Sequence, residues 1–380
     1  MRAPIIAVDA IGIDQPGGAR TAVLCLFRAL AELQPDWQLL IFVSQREPAL
    51  AAFGNVRQII LPARKGWWAR VLIQMLMPYI VWRYDVDLVH FTKSQGGLVW
   101  GVKVVLTLFD LTTLHHPEIH SPLAVWYWRF GQPLMARFSD AVVTLSLNAA
   151  RDIQNFYAVP PNKITIVPCA PQFEEAELEK RSALTELNLP PTYLLFVGAL
   201  ALKKNLTTLI EAYNLLRQRR ADAPALVLAG PRYTLSDASA IFNQICLLGL
   251  EPFVHYLGPV KDAVLPELYR RAQVFLMPSM HEGFGIPCLE AMRCGTPVIA
   301  SRAASLPEVV GEAGALITDY MSPQAWADGI QAVLDDPARR AELVARGRQR
   351  AQTFSWSRSA RVLADLYQRL LIYSLMEEPR

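Results

Sequence analysis

Two glutamates, Glu282 and Glu290, stand eight positions apart in the stretch "HEGFGIPCLEAMRCGTPVIAS", with Gly283, Gly285 and Pro287 between them. The apolar run "VFLM" precedes the stretch and reads as a strand, so the pair lies where a strand gives way to a helix. Pro287 suits the first turn of that helix, where its missing N–H costs nothing, and Gly295 followed by Pro297 suits its end. A short helix over about 287–294 is predicted. Its unpaired N–H groups near 285–289 favour an anion such as a phosphate. Carboxylates repel phosphate but accept hydrogen bonds from hydroxyl groups. A phosphate beside several hydroxyls describes a nucleotide sugar. Two readings compete with this one. The first is a tight strand–helix turn carrying two surface glutamates. The second is a dinucleotide loop, which is weak because Gly283-Phe284-Gly285 opens G-x-G-x-x-G but Cys288 stands at the third glycine.

Three further stretches carry residues suited to the same chemistry. In "LLFVGALALKKNLTTLIEAYNLL" a strand ends at Gly198, a loop delivers Lys203 and Lys204, and Asn205 reads as the cap of the next helix. Two lysines at the carboxyl end of a strand can pair with a diphosphate, and a solvated lysine pair is the competing reading. The stretch is not a P-loop, since Lys203 occupies the place of the second glycine. Gly17 and Gly18 lie between the first strand and the first helix and again offer N–H groups at a helix start; a flexible turn competes. In "VVLTLFDLTTLHHPEIHSP", Asp110 follows a strand, and His115, His116 and His120 come after it. The histidine spacing fits no standard metal site and reads as a polar loop.

The elements that must hold these residues follow a strand–helix alternation. The runs "IIAVD", "WQLLIFV", "VRQIILP", "VDLVHF", "VKVVLTL", "DAVVTLS" and "KITIVP" read as strands. Residues 19–33 form a helical pattern through Val23, Leu26, Phe27, Leu30 and Leu33. Around 168–191 the chain turns polar and proline-bounded, which reads as a linker with one lead-in helix. The alternation then restarts with "YLLFVG", "ALVLAG", "FVHYLG", "VFLMPS" and "PVIAS", and 323–373 looks helical. The strand runs lack polar alternation, as expected when helices cover both faces of a parallel sheet with right-handed crossovers. An α/β protein of two facing Rossmann-like domains is predicted, with ligands outside the carboxyl ends of the strands and an inter-domain cleft as the natural site.

Composition agrees with that layout. The chain has 380 residues, 52% of them hydrophobic, which suits two domains. A net charge of +3 is too small to argue for nucleic acid as a partner. Five scattered cysteines without a C-x-x-C pair read as small apolar side chains in a reducing compartment, with no metal site expected. Asp9 and Asp14 come too early for a signal peptide's apolar core. The uncharged run 71–82 is shorter than the roughly 18–20 residues of a spanning helix, so a cytoplasmic chain, at most peripheral on a membrane face, is expected.

Taken in order, these stretches resemble the retaining family 4 glycosyltransferases of the GT-B fold, over nearly the whole chain. "PSMHEGFGIPCLEAMRCGTPVIASRAASLPEVVGEAGAL" resembles that family's Glu-x(7)-Glu signature and its sequel. "FVGALALKKN" resembles its strand–loop–lysine element, "PGGARTAVLCLFRAL" its N-terminal glycine loop, and "FSWSRSA" the start of its crossing-back helix. "LTLFDLTTLHHPE" and "FSDAVVTLSLNAARDIQNFYAVPPNKITIVP" fit its acceptor domain.

The resemblance implies an acceptor-binding domain over 1–170, a nucleotide-sugar domain over 171–355 and a helix over 356–380 that returns to the first domain. It implies catalytic roles for Glu282, Asp110 and Lys204. Glu282 would meet the donor sugar's hydroxyls, and Glu290 the ribose. Gly283, Phe284, Gly285 and Ile286 would line sugar and phosphate. Lys204, helped by Lys203, would neutralise the leaving diphosphate, with Gly17 and Gly18 closing on it. No metal and no cofactor is implied. The donor substrate is a GDP- or UDP-linked hexose, and "SLPEVVGEAGAL" tilts the sugar towards mannose. The acceptor is a glycan or lipid-linked saccharide of surface polysaccharide assembly. The chain departs from the family pattern at Phe109-Asp110, where His-Asp is usual, at Lys203 in place of arginine, and at Cys169-Ala170 in place of Asn-Gly. A sugar-nucleotide epimerase of similar fold, needing no acceptor, and a non-catalytic sugar-nucleotide-binding subunit, which Phe109 permits, are the alternatives.

One more stretch, "PARKGWWARVLIQMLMPYIVWRY" (62–84), joins Arg64, Lys65 and Arg70 to Trp67 and Trp68 ahead of an apolar run. Cationic and aromatic residues together suit an interfacial helix near anionic lipid; a core helix with a basic start is the competing reading.

Overall fold

The structure is a computed structural model that describes residues 2–13, 17–61, 67–92, 96, 99–173 and 189–376. Residues 62–66, which include the basic Arg64 and Lys65, and most of the expected linker, 174–188, lie outside the described residues. The chain forms two compact units, one running to Cys169 and resuming at Ser355, the other spanning Ala170–Phe354.

The first unit is built on seven parallel strands: β1 (Ile5–Asp9), β2 (Gln38–Val43), β3 (Val56–Ile60), β4 (Leu88–Phe91), β5 (Lys103–Thr107), β6 (Ala141–Thr144) and β7 (Ile164–Ile166). Their order across the sheet is β3-β2-β1-β4-β5-β6-β7. Between them run α1 (Gly18–Leu33), α2 (Trp67–Tyr84), α3 (Pro122–Trp126), α4 (Gln132–Phe138) and α5 (Leu147–Tyr157), with a π turn, Tyr127–Gly131, joining α3 to α4. Period-two alternation sorts each strand between two helical layers. Val89, Phe91, Leu106 and Val142 pack on one side with Met77 and Ile80 of α2, Ala136 of α4 and Ile153 of α5. His90 and Thr107 point to the other side, where the His90 ring meets Phe27 of α1 edge-on at 5.7 Å.

The second unit carries β8 (Tyr193–Val197), β9 (Ala225–Ala229), β10 (Val254–Gly258), β11 (Ala272–Met277), β12 (Val298–Ser301) and β13 (Ala315–Ile317) in the order β10-β9-β8-β11-β12-β13, all parallel. The sequence reading missed the short strand β13. The helices that matter for the site are α6 (Leu206–Arg219), α7 (Leu265–Arg271), α8 (Ile286–Arg293) and α9 (Leu306–Val310), and α10 (Pro323–Leu334) buries Trp326 against α6.

The last helix, α11 (Trp356–Met376), belongs to the first unit and packs along α1. Its Tyr367 hydroxyl meets His90 Nδ1 at 2.5 Å, and His90 Nε2 meets Thr107 Oγ1 at 2.7 Å. Burial pushes the imidazole down to about 3, so the ring is neutral and fits one donor and one acceptor partner.

Candidate active site

In the second unit the chain winds outward from β8 through β9 and β10, then returns to β11 on the other side of β8. The sheet therefore reverses direction between β8 and β11, where loops leaving neighbouring strands part and open a crevice. The loop after β8 carries Lys203 and Lys204, and the loop after β11 carries Glu282 to Gly285. A backbone hydrogen bond from Met280 N to Lys203 O, 2.9 Å, ties the two loops together.

Lys204 and Glu282, separated by 78 positions in sequence, form an ion pair there. Glu282 Oε1 also accepts from Ser279 Oγ at 2.5 Å. Burial by itself would raise the Glu282 carboxyl, but the charges of Lys204 and Lys203 and the hydrogen bonds from Lys204 and Ser279 outweigh it and hold the group below its usual range. Ser305, fully buried, donates its hydroxyl to Glu282 O at 2.8 Å and to Phe284 O at 3.0 Å, fixing the turn from the α9 side. Gly285 then leaves the turn at φ +105, and a Cβ there would lie 2.7 Å from Leu306 Cδ2. The positive φ favours glycine here, and any Cβ would also displace the Leu306 side chain.

Glu290 sits on α8 with 4% of its surface exposed. Its Oε2 accepts from the Tyr269 hydroxyl of α7 at 2.8 Å. Burial pushes its carboxyl up to about 7, with the Tyr269 hydroxyl and the Gln172 backbone N–H pulling the other way. The two glutamates are therefore not the surface pair of a plain turn. Nor do both simply line an open crevice, because Glu290 turns towards Tyr269.

The helix starts at three of the candidate positions share a property. α6 begins at Asn205, α8 at Gly285 and, in the first unit, α1 at Gly17, and none of the three has a side-chain cap. Elsewhere Ser146, Thr234, Ser322 and Asp336 cap their helices with a side-chain oxygen, while α4, α7 and α9 are uncapped as well. An uncapped start leaves N–H groups available to an anion. Asn205 thus departs from the expected cap. Its backbone is left-handed at φ 54, and its side chain donates to Tyr320 O and accepts from the Thr208 hydroxyl instead.

The remaining candidates lie in the first unit. Gly17, at φ +146, precedes α1, and Gly18 opens it. Asp110 follows β5, and its Oδ1 accepts from Thr112 N at 3.0 Å and Thr112 Oγ1 at 2.6 Å. That engagement closes a turn, so the carboxylate organises the loop rather than standing as an isolated acid. Neighbouring Phe109 lines a small apolar cavity with Phe27, His90, Thr107 and Trp356. His115 Nε2 lies 2.8 Å from Asp152, and His116 Nδ1 3.2 Å from Glu118. Sequence reasoning passed over Ser279, Ser305 and Tyr269. The only signal was Ser279 three residues before Glu282; Tyr269 lies on a separate helix 21 positions from Glu290.

Comparison with known proteins agrees with this architecture. The family described as "Glycosyltransferase Family 4" matches residues 16–171, and "Glycosyl transferases group 1" matches 179–350. O-antigen chain mannosyltransferase B of Escherichia coli is 32% identical over 273 residues, covering 70% of this chain and 71% of that one. D-inositol 3-phosphate glycosyltransferase of Salinispora tropica is 31% identical over 398 residues, covering 94% and 82%. Among solved structures, sucrose-phosphate synthase from Thermosynechococcus elongatus superposes with a TM-score of 0.80 at 23% identity, over 97% of this chain and all of that one, which shows a shared fold. With both parts of the chain matched and a mannosyltransferase among its relatives, the chain is a hexosyltransferase and belongs to the group 1, family 4 glycosyltransferases.

Proposed function

We propose that this enzyme moves a hexose, mannose in the favoured case, from a GDP- or UDP-linked donor to a glycan or lipid-linked acceptor with retention at the anomeric carbon. The observation that carries the reading is the Lys204–Glu282 pair at the reversal point of the second sheet, between two uncapped helix starts. The crevice holds a mobile cation for a diphosphate, backbone amides for its oxygens and a carboxylate for sugar hydroxyls. Without donor, Lys204 is neutralised by Glu282. A diphosphate draws Lys204 to itself and leaves Glu282 to accept from the sugar. As the glycosidic bond breaks, charge grows on the diphosphate, and Lys204, Lys203 and the amides of Gly283, Phe284, Gly285 and Ile286 stabilise it. Glu290 accepts from the ribose hydroxyls in its carboxylate form. Gly17 and Gly18 offer amides of the same kind in the first unit, and Asp110 orders the loop beside Phe109. No metal enters this scheme. A relative that extends an O-antigen chain supports mannose and surface polysaccharide assembly.

Thermal-shift measurements across a panel of nucleotide sugars test the donor, since a ligand of the folded state raises the melting temperature. A rise with one nucleotide-linked hexose is expected; none with any member overturns the reading. NMR of the transferred sugar then gives the anomeric configuration, and an inverted product overturns retention.

A further inference from the structure

Two helical segments of the first unit present apolar side chains to solvent in register. On α2, Met75, Tyr79 and Trp82 follow at steps of four and three and are 74%, 56% and 76% exposed. Along α3, the π turn and α4, the residues Leu123, Trp126, Phe130, Leu134 and Phe138 form a second stripe, each between 47% and 77% exposed. The inward sides of α2 and α4 are buried, with Met77, Ile80 and Ala136 in one cluster on a single face of the seven-stranded sheet, and Trp128 of the π turn packs partly against the same cluster. Both stripes therefore turn away from that one sheet face. The segments are also neighbours. Gln74 of α2 donates to Gly96 O at 2.8 Å, and a Cβ on Gly96 would lie 3.3 Å from Met135 of α4.

An apolar surface of this extent marks an interaction. Its charge says what kind. Among the described side chains the two segments carry Arg83, Arg129 and Arg137, all exposed, and neither 67–84 nor 122–138 has an acidic residue, in a chain of 37 basic and 34 acidic residues. Tryptophan, tyrosine and arginine at the edge of an apolar stripe suit a lipid headgroup layer, where ring and stem are buried and the polar ends stay wet. Among the described residues no helix is long and apolar enough to cross a membrane, so the segments would lie in the interface plane. A second copy of the chain would bring like charges together.

We propose that α2 and the α3–α4 segment form one docking face for an anionic phospholipid surface, with Tyr79, Trp82, Trp126 and Phe130 entering the headgroup region and Arg83 and Arg129 meeting lipid phosphates. The face extends well past the 62–84 stretch that the sequence singled out. Flotation of the purified chain with phosphatidylcholine vesicles, with and without phosphatidylglycerol, tests it. Binding to the anionic vesicles that weakens with salt is expected. The double variant Trp126→Ser/Phe130→Ser should lose about tenfold or more in partitioning, given the apolar burial removed. Arg129→Glu should remove most of the preference for anionic vesicles. Unchanged melting temperatures, and for the double variant an unchanged response to nucleotide sugar, separate lost docking from lost folding. No flotation, or flotation indifferent to both variants, overturns the proposal. So does concentration-dependent dimerisation that the double variant abolishes, which would assign the face to a second copy.

Discussion

Glu282 and Glu290 lie on the same turn of chain, and both are largely withdrawn from water, yet their surroundings drive them in opposite directions. The loop after β11 places Glu282 against a cation, and its carboxyl is held below the usual range. The α8 helix places Glu290 against a phenol, and its carboxyl rises to about 7. Burial acts on both in the same sense. What differs is a lysine delivered by a neighbouring strand, so sheet order decides which carboxylate stays charged. A site meant to exchange an internal cation for a diphosphate needs the first environment. A hydroxyl acceptor that changes protonation near neutrality is the product of the second.

Removing the cation should erase the difference, and this is the largest effect expected. In Lys204→Ala, Glu282 keeps its burial and loses the charge that offsets it, so its carboxyl rises. Turnover should fall on the order of 10²-fold or more, as it does when an oxyanion donor is lost. An unpaired buried carboxylate also destabilises the fold unless it takes up a proton. The variant should therefore melt closer to the wild type at pH 5 than at pH 8. Near-normal turnover would reduce the pair to a structural bridge.

Glu290→Gln tests the other side. The folded-state carboxyl, at about 7, stands above its ordinary 4.5, so between those values the folded chain binds more protons than the unfolded one. Stability from this group is fully present below about 4.5 and is lost as pH rises through 7. The glutamine variant has no such loss. It should match the wild type near pH 5 and exceed it near pH 8, by on the order of 3 kcal/mol at about 1.4 kcal/mol per unit. Donor affinity should move the other way, falling about tenfold or more with the loss of charge-assisted bonds to the ribose. Wild-type donor affinity should rise with pH through 7, and Tyr269→Phe should shift that rise to higher pH. Equal donor affinity in wild type and Glu290→Gln would remove the ribose role.

How much of this was legible depends on the range of the signal. All the strands but β13 stood out because parallel strands covered on two faces read as unbroken apolar runs. The residues 285–295 were legible in detail, because Pro287 and Gly295 are local signals and the helix runs Ile286–Arg293 as their positions require. Lys204 and Glu282 were legible as two candidates but not as a pair, because the crossover that joins them is a property of sheet order. The partners that set the charge states were harder still. A serine three residues away and a tyrosine on another helix have no spacing that marks them. Asn205 misled because its side chain is a good cap, while its left-handed backbone turns it elsewhere. The 62–84 stretch carried two readings; the described helix Trp67–Tyr84 buries Met77 and Ile80 as a core helix does and leaves Met75, Tyr79 and Trp82 exposed, which a core position alone does not account for.

The smallest effect should come from Ser279→Ala, which touches the comparison without collapsing it. Glu282 keeps Lys204 and loses only the 2.5 Å bond from the serine hydroxyl. A single hydrogen bond to a charged group contributes about 1.5 kcal/mol or somewhat more, so turnover should fall roughly tenfold, less than in Lys204→Ala. The more telling readout is the pH profile. With one fewer donor to its charged form, the Glu282 carboxyl moves up towards its ordinary value, and the acid limb of kcat/KM should move to higher pH with it. Ser279 would then be a positioning residue that acts through Glu282. A lower rate with the acid limb unmoved would show instead that the serine supports the turn, where Ser301 already donates to its carbonyl, and that the two lysines keep Glu282 charged without it.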